Sequence, residues 1–178
     1  MSIRDLRPTD YEALRDAYWL CYDERDAGYS IGILLFREKP SEADEARWFA
    51  QVLKRVETQQ EMVLIAEIDG RAVGSCSLTQ CGPGPRSECS HMGDLGILVH
   101  RDYRAHGLGS QLLGEAIRRA RTRYELVRLW VHSDNPNAKR LYERYGFVTC
   151  GLLPAAVKRG ERYIDLEMMV LDLRNRPP

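Results

Sequence analysis

Nothing in the chain marks a specialised class. Its five cysteines, Cys21, Cys76, Cys81, Cys89 and Cys150, are odd in number and never fall in the CxxC spacing of zinc sites and redox pairs. No metal centre is expected, and the thiols read as reduced; Cys81 and Cys89, across CGPGPRSEC, are the one pairing to name, which a reducing compartment disfavours. No apolar run approaches the roughly 18 residues that span a membrane, and no charged segment followed by an apolar one opens the sequence. The expectation is a soluble cytoplasmic protein with no membrane partner. Charge of one sign is not in surplus either, since 26 Lys plus Arg meet 26 Asp plus Glu. That balance removes the long-range attraction behind nonspecific nucleic-acid binding, so no nucleic-acid partner is expected. The Gly-Lys-Ser/Thr of a Walker loop and the GxGxxG of a dinucleotide fold are both missing, as are internal repeats and low-complexity segments.

What remains is ordinary globular usage, 44% apolar against 29% charged over 178 residues, which predicts one domain over 1–178. The balance hides local asymmetry. Residues 1–60 carry nine bases and twelve acids, whereas residues 101–125 carry six arginines and three acids, so the middle of the chain is suited to receive an anion.

Periodicity orders the elements. Residues 3–7 alternate as a short strand, Thr9 and Glu12 have capping-box spacing before a helix reaching about Gly28, and Ser41 caps a second helix with Ala46, Phe49, Ala50 and Leu53 on one face. Residues 62–66 and 72–78 flank Asp69-Gly70, a strong hairpin signal; residues 80–90, with Gly82-Pro83-Gly84-Pro85, form a loop. Residues 95–99, 107–121 and 126–131 read as strand, helix, strand, hence a parallel crossover unit. Asn135-Pro136 starts another helix that Gly146 ends, and residues 147–150 and 163–170 supply the last two strands around Arg159-Gly160-Glu161.

One stretch points to chemistry. Leu98-Val99-His100-Arg101-Asp102-Tyr103-Arg104-Ala105-His106-Gly107-Leu108-Gly109 puts glycines where a strand turns into a helix, and the free amides of a helix start attract phosphate. Read alone, a plain glycine turn fits as well. Further on, Asn135 and Tyr142 share one helical face and are able to reach the same bound molecule; a packed amphipathic tyrosine is the alternative.

Taken together the two stretches resemble the GNAT superfamily of acetyl-CoA-dependent N-acetyltransferases. Arg104-x-x-Gly107-x-Gly109 is similar to its pyrophosphate-binding pattern, and Asn135-x-x-Ala138-x-x-Leu141-Tyr142-x-x-x-Gly146-Phe147 to its second cofactor motif. His91-x-x-Asp94-Leu95-Gly96-Ile97 and the tail from Arg159 to Met169 look more narrowly like the bacterial branch acting on small amines and amino acids. The resemblance implies an α/β (α+β) fold, with a mixed, mostly antiparallel central sheet of six to seven strands, a splayed parallel pair between the fourth and fifth, and about four helices.

The resemblance also implies roles. Attack on a thioester needs an uncharged amine, yet an alkyl ammonium has a pKa of about 10, so a base must take a proton. Asp94 holds the family's carboxylate position, with His91 and Glu88 as the other candidates. Amides near Ile97, Leu98 and Val99 would stabilise the oxyanion. Arg104, Ala105, His106, Gly107, Leu108, Gly109 and Ser110 would bind pyrophosphate, Asn135 and Ala138 the pantetheine arm, and Arg140 or Lys139 the 3′-phosphate. Tyr142 would protonate the leaving thiolate, and Asp165 is read as structural. The expected reaction is direct attack by the primary amine of a small molecule, such as an amino acid or polyamine, in a ternary complex. A protein N-terminus or lysine is the alternative acceptor, an idle acyl-CoA-binding module the alternative of another class, and a homodimer is compatible with all three.

Overall fold

Asp69 and Gly70 both take left-handed backbone, with φ of 49° and 77°, and close the hairpin expected from their sequence. In the computed structural model, which describes residues 1–84 and 86–174, that hairpin pairs β2 (Glu61–Ile68) with β3 (Arg71–Gln80). Pro85 of the glycine-proline loop and residues 175–178 lie outside the described residues. β1 (Ser2–Asp5) adds to β2, and β4 (Met92–Val99) to β3, both antiparallel. β5 (Leu126–His132) lies parallel to β4 through three pairs only: Met92 with Leu126, Gly93 with Val127, and Asp94 with Arg128. β7 (Arg162–Asp172) then pairs antiparallel with β5 along its whole length, and β6 (Val148–Arg159) closes the edge, giving the order β1-β2-β3-β4-β5-β7-β6.

Strand alternation sorts the apolar side chains onto two faces. Leu64, Cys76, Leu78, Leu95, Val127, Leu129 and Met169 meet Leu112, Leu113 and Ala116 of α3 (Leu108–Ala120) and Tyr142 of α4 (Pro136–Arg144). On the other face Val63, Ile65 and Ala72 meet Leu14 of α1 (Tyr11–Asp26) and Val52 and Val56 of α2 (Glu42–Glu57).

Three local expectations need correction. Pro8–Asp10 forms a 3-10 turn ahead of α1, so the Thr9–Glu12 box gives way to Asp10, whose buried carboxylate accepts from Arg7 N at 2.8 Å and twice from the Arg4 guanidinium. Ser41 does cap α2, its Oγ accepting from Asp44 N at 3.2 Å. The buried stripe of α2 is Glu45, Phe49 and Val52, with Ala46 and Ala50 outside. β6 runs far past residue 150, through Pro154, because an edge strand has no inner partner for the missing amide; Asp165 Oδ1 pins its bulge by accepting from Ala155 N at 2.7 Å. Cys81 and Cys89 are free thiols.

The long α1–α2 connection is tied to the far side of the sheet. Arg159 Nη2 donates to Ile31 O (3.2 Å), to Ile33 O (3.4 Å) and to His132 Nδ1 (3.3 Å), and Ser30 Oγ donates to Asp134 Oδ1 at 3.0 Å. Burial, reinforced by Arg159, lowers the pKa of His132, and burial lowers that of His100 as well. Below the ordinary histidine value of 6.5 the unfolded chain therefore binds protons that the folded chain refuses, so stability is complete above that pH and is lost as pH falls beneath it. Urea midpoints are expected to drop between pH 7.5 and pH 5.5, and His132→Gln should flatten that slope.

Candidate active site

The donor side begins at the turn into α3. Ala105 and Gly107 both have positive φ, 64° and 82°, and Gly107 is the N-cap, supplying no side chain to the helix start. The first helical hydrogen bond runs from Gln111 N to Gly107 O at 3.1 Å. The amides of Leu108, Gly109 and Ser110 thus stand clear at the positive end of a helix whose first turn holds no acid. That cradle fits a diphosphate. Gly109 lies where neighbours gather: a Cβ there would make ordinary contacts, 3.6 Å from Leu141 and 3.9 Å from both Ile97 and Val99, so β4, α3 and α4 converge on this turn.

Arg104 opens the turn, but its guanidinium is taken up elsewhere. Nη1 and Nη2 grip the buried Glu24 of α1 at 2.6 and 2.9 Å, and Nε donates to Val99 O at 2.9 Å. The physical reason is Glu24 itself, a carboxylate that burial would penalise without a bidentate partner. Lys139 is likewise paired, to Glu167 at 2.6 Å, while the exposed Arg140 donates to Asn137 Oδ1 on its own helix.

On α4, Asn135 Oδ1 accepts from Ala138 N at 3.2 Å, the cap foreseen from sequence. Its Nδ2 would lie 2.6 Å from a Cβ on Gly32, so the α1–α2 connection presses directly on this residue. Tyr142 is 7% exposed, packs on Phe147 at 5.8 Å between ring centres, and has a phenol whose pKa burial pushes up, the Cys76 thiol adding to the shift. It keeps its proton at any ordinary pH. Tyr145, one turn along, donates to Ser110 O at 2.6 Å and fixes α4 against α3.

Asp94 stands at the last pair before β4 and β5 part. Both its oxygens accept from Arg128, at 2.6 and 2.7 Å. His91 is exposed, and its Nδ1 donates to Glu88 O at 2.9 Å in the preceding loop; the structure does not bring His91 or Glu88 to the parted strands.

Across the sheet from α3, a cavity of about 710 Å³ opens between α1, the α1–α2 connection, α2 and strands β2 to β4. Gly96, Ile97 and Leu98 form its floor with Ser75 and Ser77; Leu14, Tyr18, Phe36, Trp48, Phe49 and Val52 form its walls, and Glu45 and Glu61 are its buried acids. Ile97 also packs against the core beneath α3, so one strand serves both sides. Sequence reading missed this wall. The signal was present in the spacing of Glu45, Phe49 and Val52, an apolar stripe carrying one acid.

A mixed sheet with a splayed parallel pair, a phosphate-receptive helix start on one side and an open cavity on the other, defines an acyl-CoA-dependent transferase fold. The sequence profile of the acetyltransferase (GNAT) family matches residues 11–147, and the chain belongs to that family. It is 27% identical over 150 residues to the uncharacterized N-acetyltransferase MJ1207 of Methanocaldococcus jannaschii, covering 82% of this chain and 60% of that one. Against the L-amino acid N-acetyltransferase AaaT of Escherichia coli K12 it is 32% identical over 108 residues, covering 60% and 65%. The chain thus spans under two thirds of these two relatives. Against the L-amino acid N-acyltransferase MnaT of the same organism, identity is 28% over 99% of this chain and 96% of that one. The fold is shared with a phosphinothricin acetyltransferase from Sinorhizobium meliloti solved in complex with AcCoA, at a TM-score of 0.78 and 19% identity over 96% of this chain and 87% of that one. GNAT acetyltransferases use acetyl-CoA, and the α3 cradle suits its diphosphate.

Arg104→Ala leaves the Glu24 carboxylate buried and unpaired, which costs about 1–3 kcal/mol. Urea unfolding should register that loss, and calorimetry should show coenzyme A binding weakened about tenfold as the turn loosens. Unaltered stability would mean that Glu24 finds another partner.

Proposed function

We propose that this chain, acting as one domain, is an N-acetyltransferase that moves the acetyl group of acetyl-CoA to the primary amine of a small molecule by direct attack in a ternary complex. One observation carries the reading: the segment from Gly96 to Leu98 floors the acceptor cavity, while Ile97 within it and Val99 just past it meet the start of α3. Donor and acceptor therefore approach the same stretch of backbone from opposite faces.

When bound, acetyl-CoA supplies an acetyl group activated as a thioester. The amides of Leu108, Gly109 and Ser110 would hold its diphosphate, Asn135 and Ala138 would line its arm, and Arg140 would reach a peripheral phosphate. Past Asp94 the edge of β4 that faces β5 is unpaired, so amides between Ile97 and Val99 are available to developing negative charge without a charged side chain. Tyr142 offers its retained proton to a departing thiolate. Asp94 is the proposed proton acceptor; each of its oxygens keeps a lone pair beyond its bond to Arg128. The names of AaaT and MnaT, which specify L-amino acids, support a small acceptor.

Thiol release from acetyl-CoA, screened across amines, amino acids and peptides, tests the assignment; silence with every acceptor would remove it. Tyr142→Phe should lower kcat by about 10²-fold, the usual worth of a positioned acid, with acetyl-CoA affinity nearly intact. Asp94→Asn should lower kcat by about 10²-fold, the usual worth of a positioned base. An unchanged kcat would remove Asp94 from the role.

A further inference from the structure

We propose that the cavity selects a primary amine on an apolar, ring-sized body that carries no carboxylate, and that Glu45 makes the selection by receiving its ammonium. The inference rests on the transferase reading of this cleft and specifies its acceptor.

Glu45 is 5% exposed, lies on the apolar stripe of α2 beside Phe49 and Val52, and lines the cavity. Among the described residues it accepts no hydrogen bond. Its acidic neighbours are engaged: Asp44 holds Ser41 and Arg47, and Glu61 accepts from Arg55 at 2.8 Å. Arg15, the cation nearest to it electrostatically, is turned to Asp16 and Glu42 at 2.9 and 2.8 Å. Burial, reinforced by Asp44 and opposed by Arg15, pushes the Glu45 carboxyl up. A largely buried carboxylate that reaches water only through the cavity is poorly solvated, and a ligand ammonium would give it a partner.

The rest of the lining agrees. Four acids, Glu38, Asp44, Glu45 and Glu61, face the cavity against one cation, Lys39, and that ammonium is exposed and sits 5.0 Å over the Trp19 ring. No arginine fork is present among the described lining residues to take a carboxylate, so a free amino acid would bring its own acid group toward Glu45. Phe36, Trp48 and Phe49 meanwhile offer ring-sized apolar walls.

The test compares 2-phenylethylamine, L-phenylalaninamide and L-phenylalanine, which share one body, by thiol release and, without acetyl-CoA, by calorimetry. Both carboxylate-free amines should exceed the amino acid in kcat/KM and in affinity by about tenfold or more. Glu45→Gln, checked for an unaltered melting profile, should raise KM for 2-phenylethylamine about tenfold and narrow the gap to L-phenylalanine. Equal or better use of the amino acid, a gap that survives Glu45→Gln, or no heat with either amine would overturn the proposal. Preferential heat without thiol release would instead sink the transferase reading while leaving the selection standing.

Discussion

Parallel pairing between β4 and β5 ends at Asp94 and Arg128, and the bidentate bridge between those side chains sits at the closing point. Beyond it β5 remains fully committed to β7 and β4 to β3, so each strand is held on its other side while the edges between them separate. A sheet interior normally exposes no backbone hydrogen-bonding groups. Here a short stretch is left open in the middle of seven strands, without loss of order on either side, because the outer partners are extensive.

That opening is useful only because other elements are aimed at it. The start of α3 is fixed by Gly107 in a left-handed conformation and by packing of Leu141, Ile97 and Val99 around Gly109. The Arg104–Glu24 pair then ties this turn to α1, a helix whose Leu14 and Tyr18 line the cavity on the other face of the sheet. The α1–α2 connection is similarly shared: Arg159 holds its carbonyls, Gly32 leans on Asn135, and Ile33 and Phe36 wall the cavity.

Much of this was legible in local patterns. Asp69-Gly70, the strand–helix–strand unit, the Asn135 cap and the glycines after Arg104 each depend on residues close in sequence, where turn chemistry and periodicity act directly. The misreadings share a cause. Asp10 rather than Thr9 stands at the N-cap position of α1, with its carboxylate drawn to Arg4 and to Arg7 N instead of the helix amides, and Arg104 meets Glu24, 80 residues away. The α2 face was misassigned because alanines scan as core and glutamate as solvent, whereas burial follows the side on which the sheet happens to lie.

By itself the sequence determined which segments become strands and helices, where they turn, and which family of folds they assemble into, since those properties are set by dihedral preference, capping and hydrophobic period over a few residues. Only the tertiary structure decided that Asp94 is bridged by Arg128, that Glu45 is buried with no hydrogen bond to its carboxylate among the described residues, and that one strand meets both faces of the sheet. Such facts depend on which charges end up adjacent after distant segments pack, and Coulomb and desolvation terms are fixed by that adjacency.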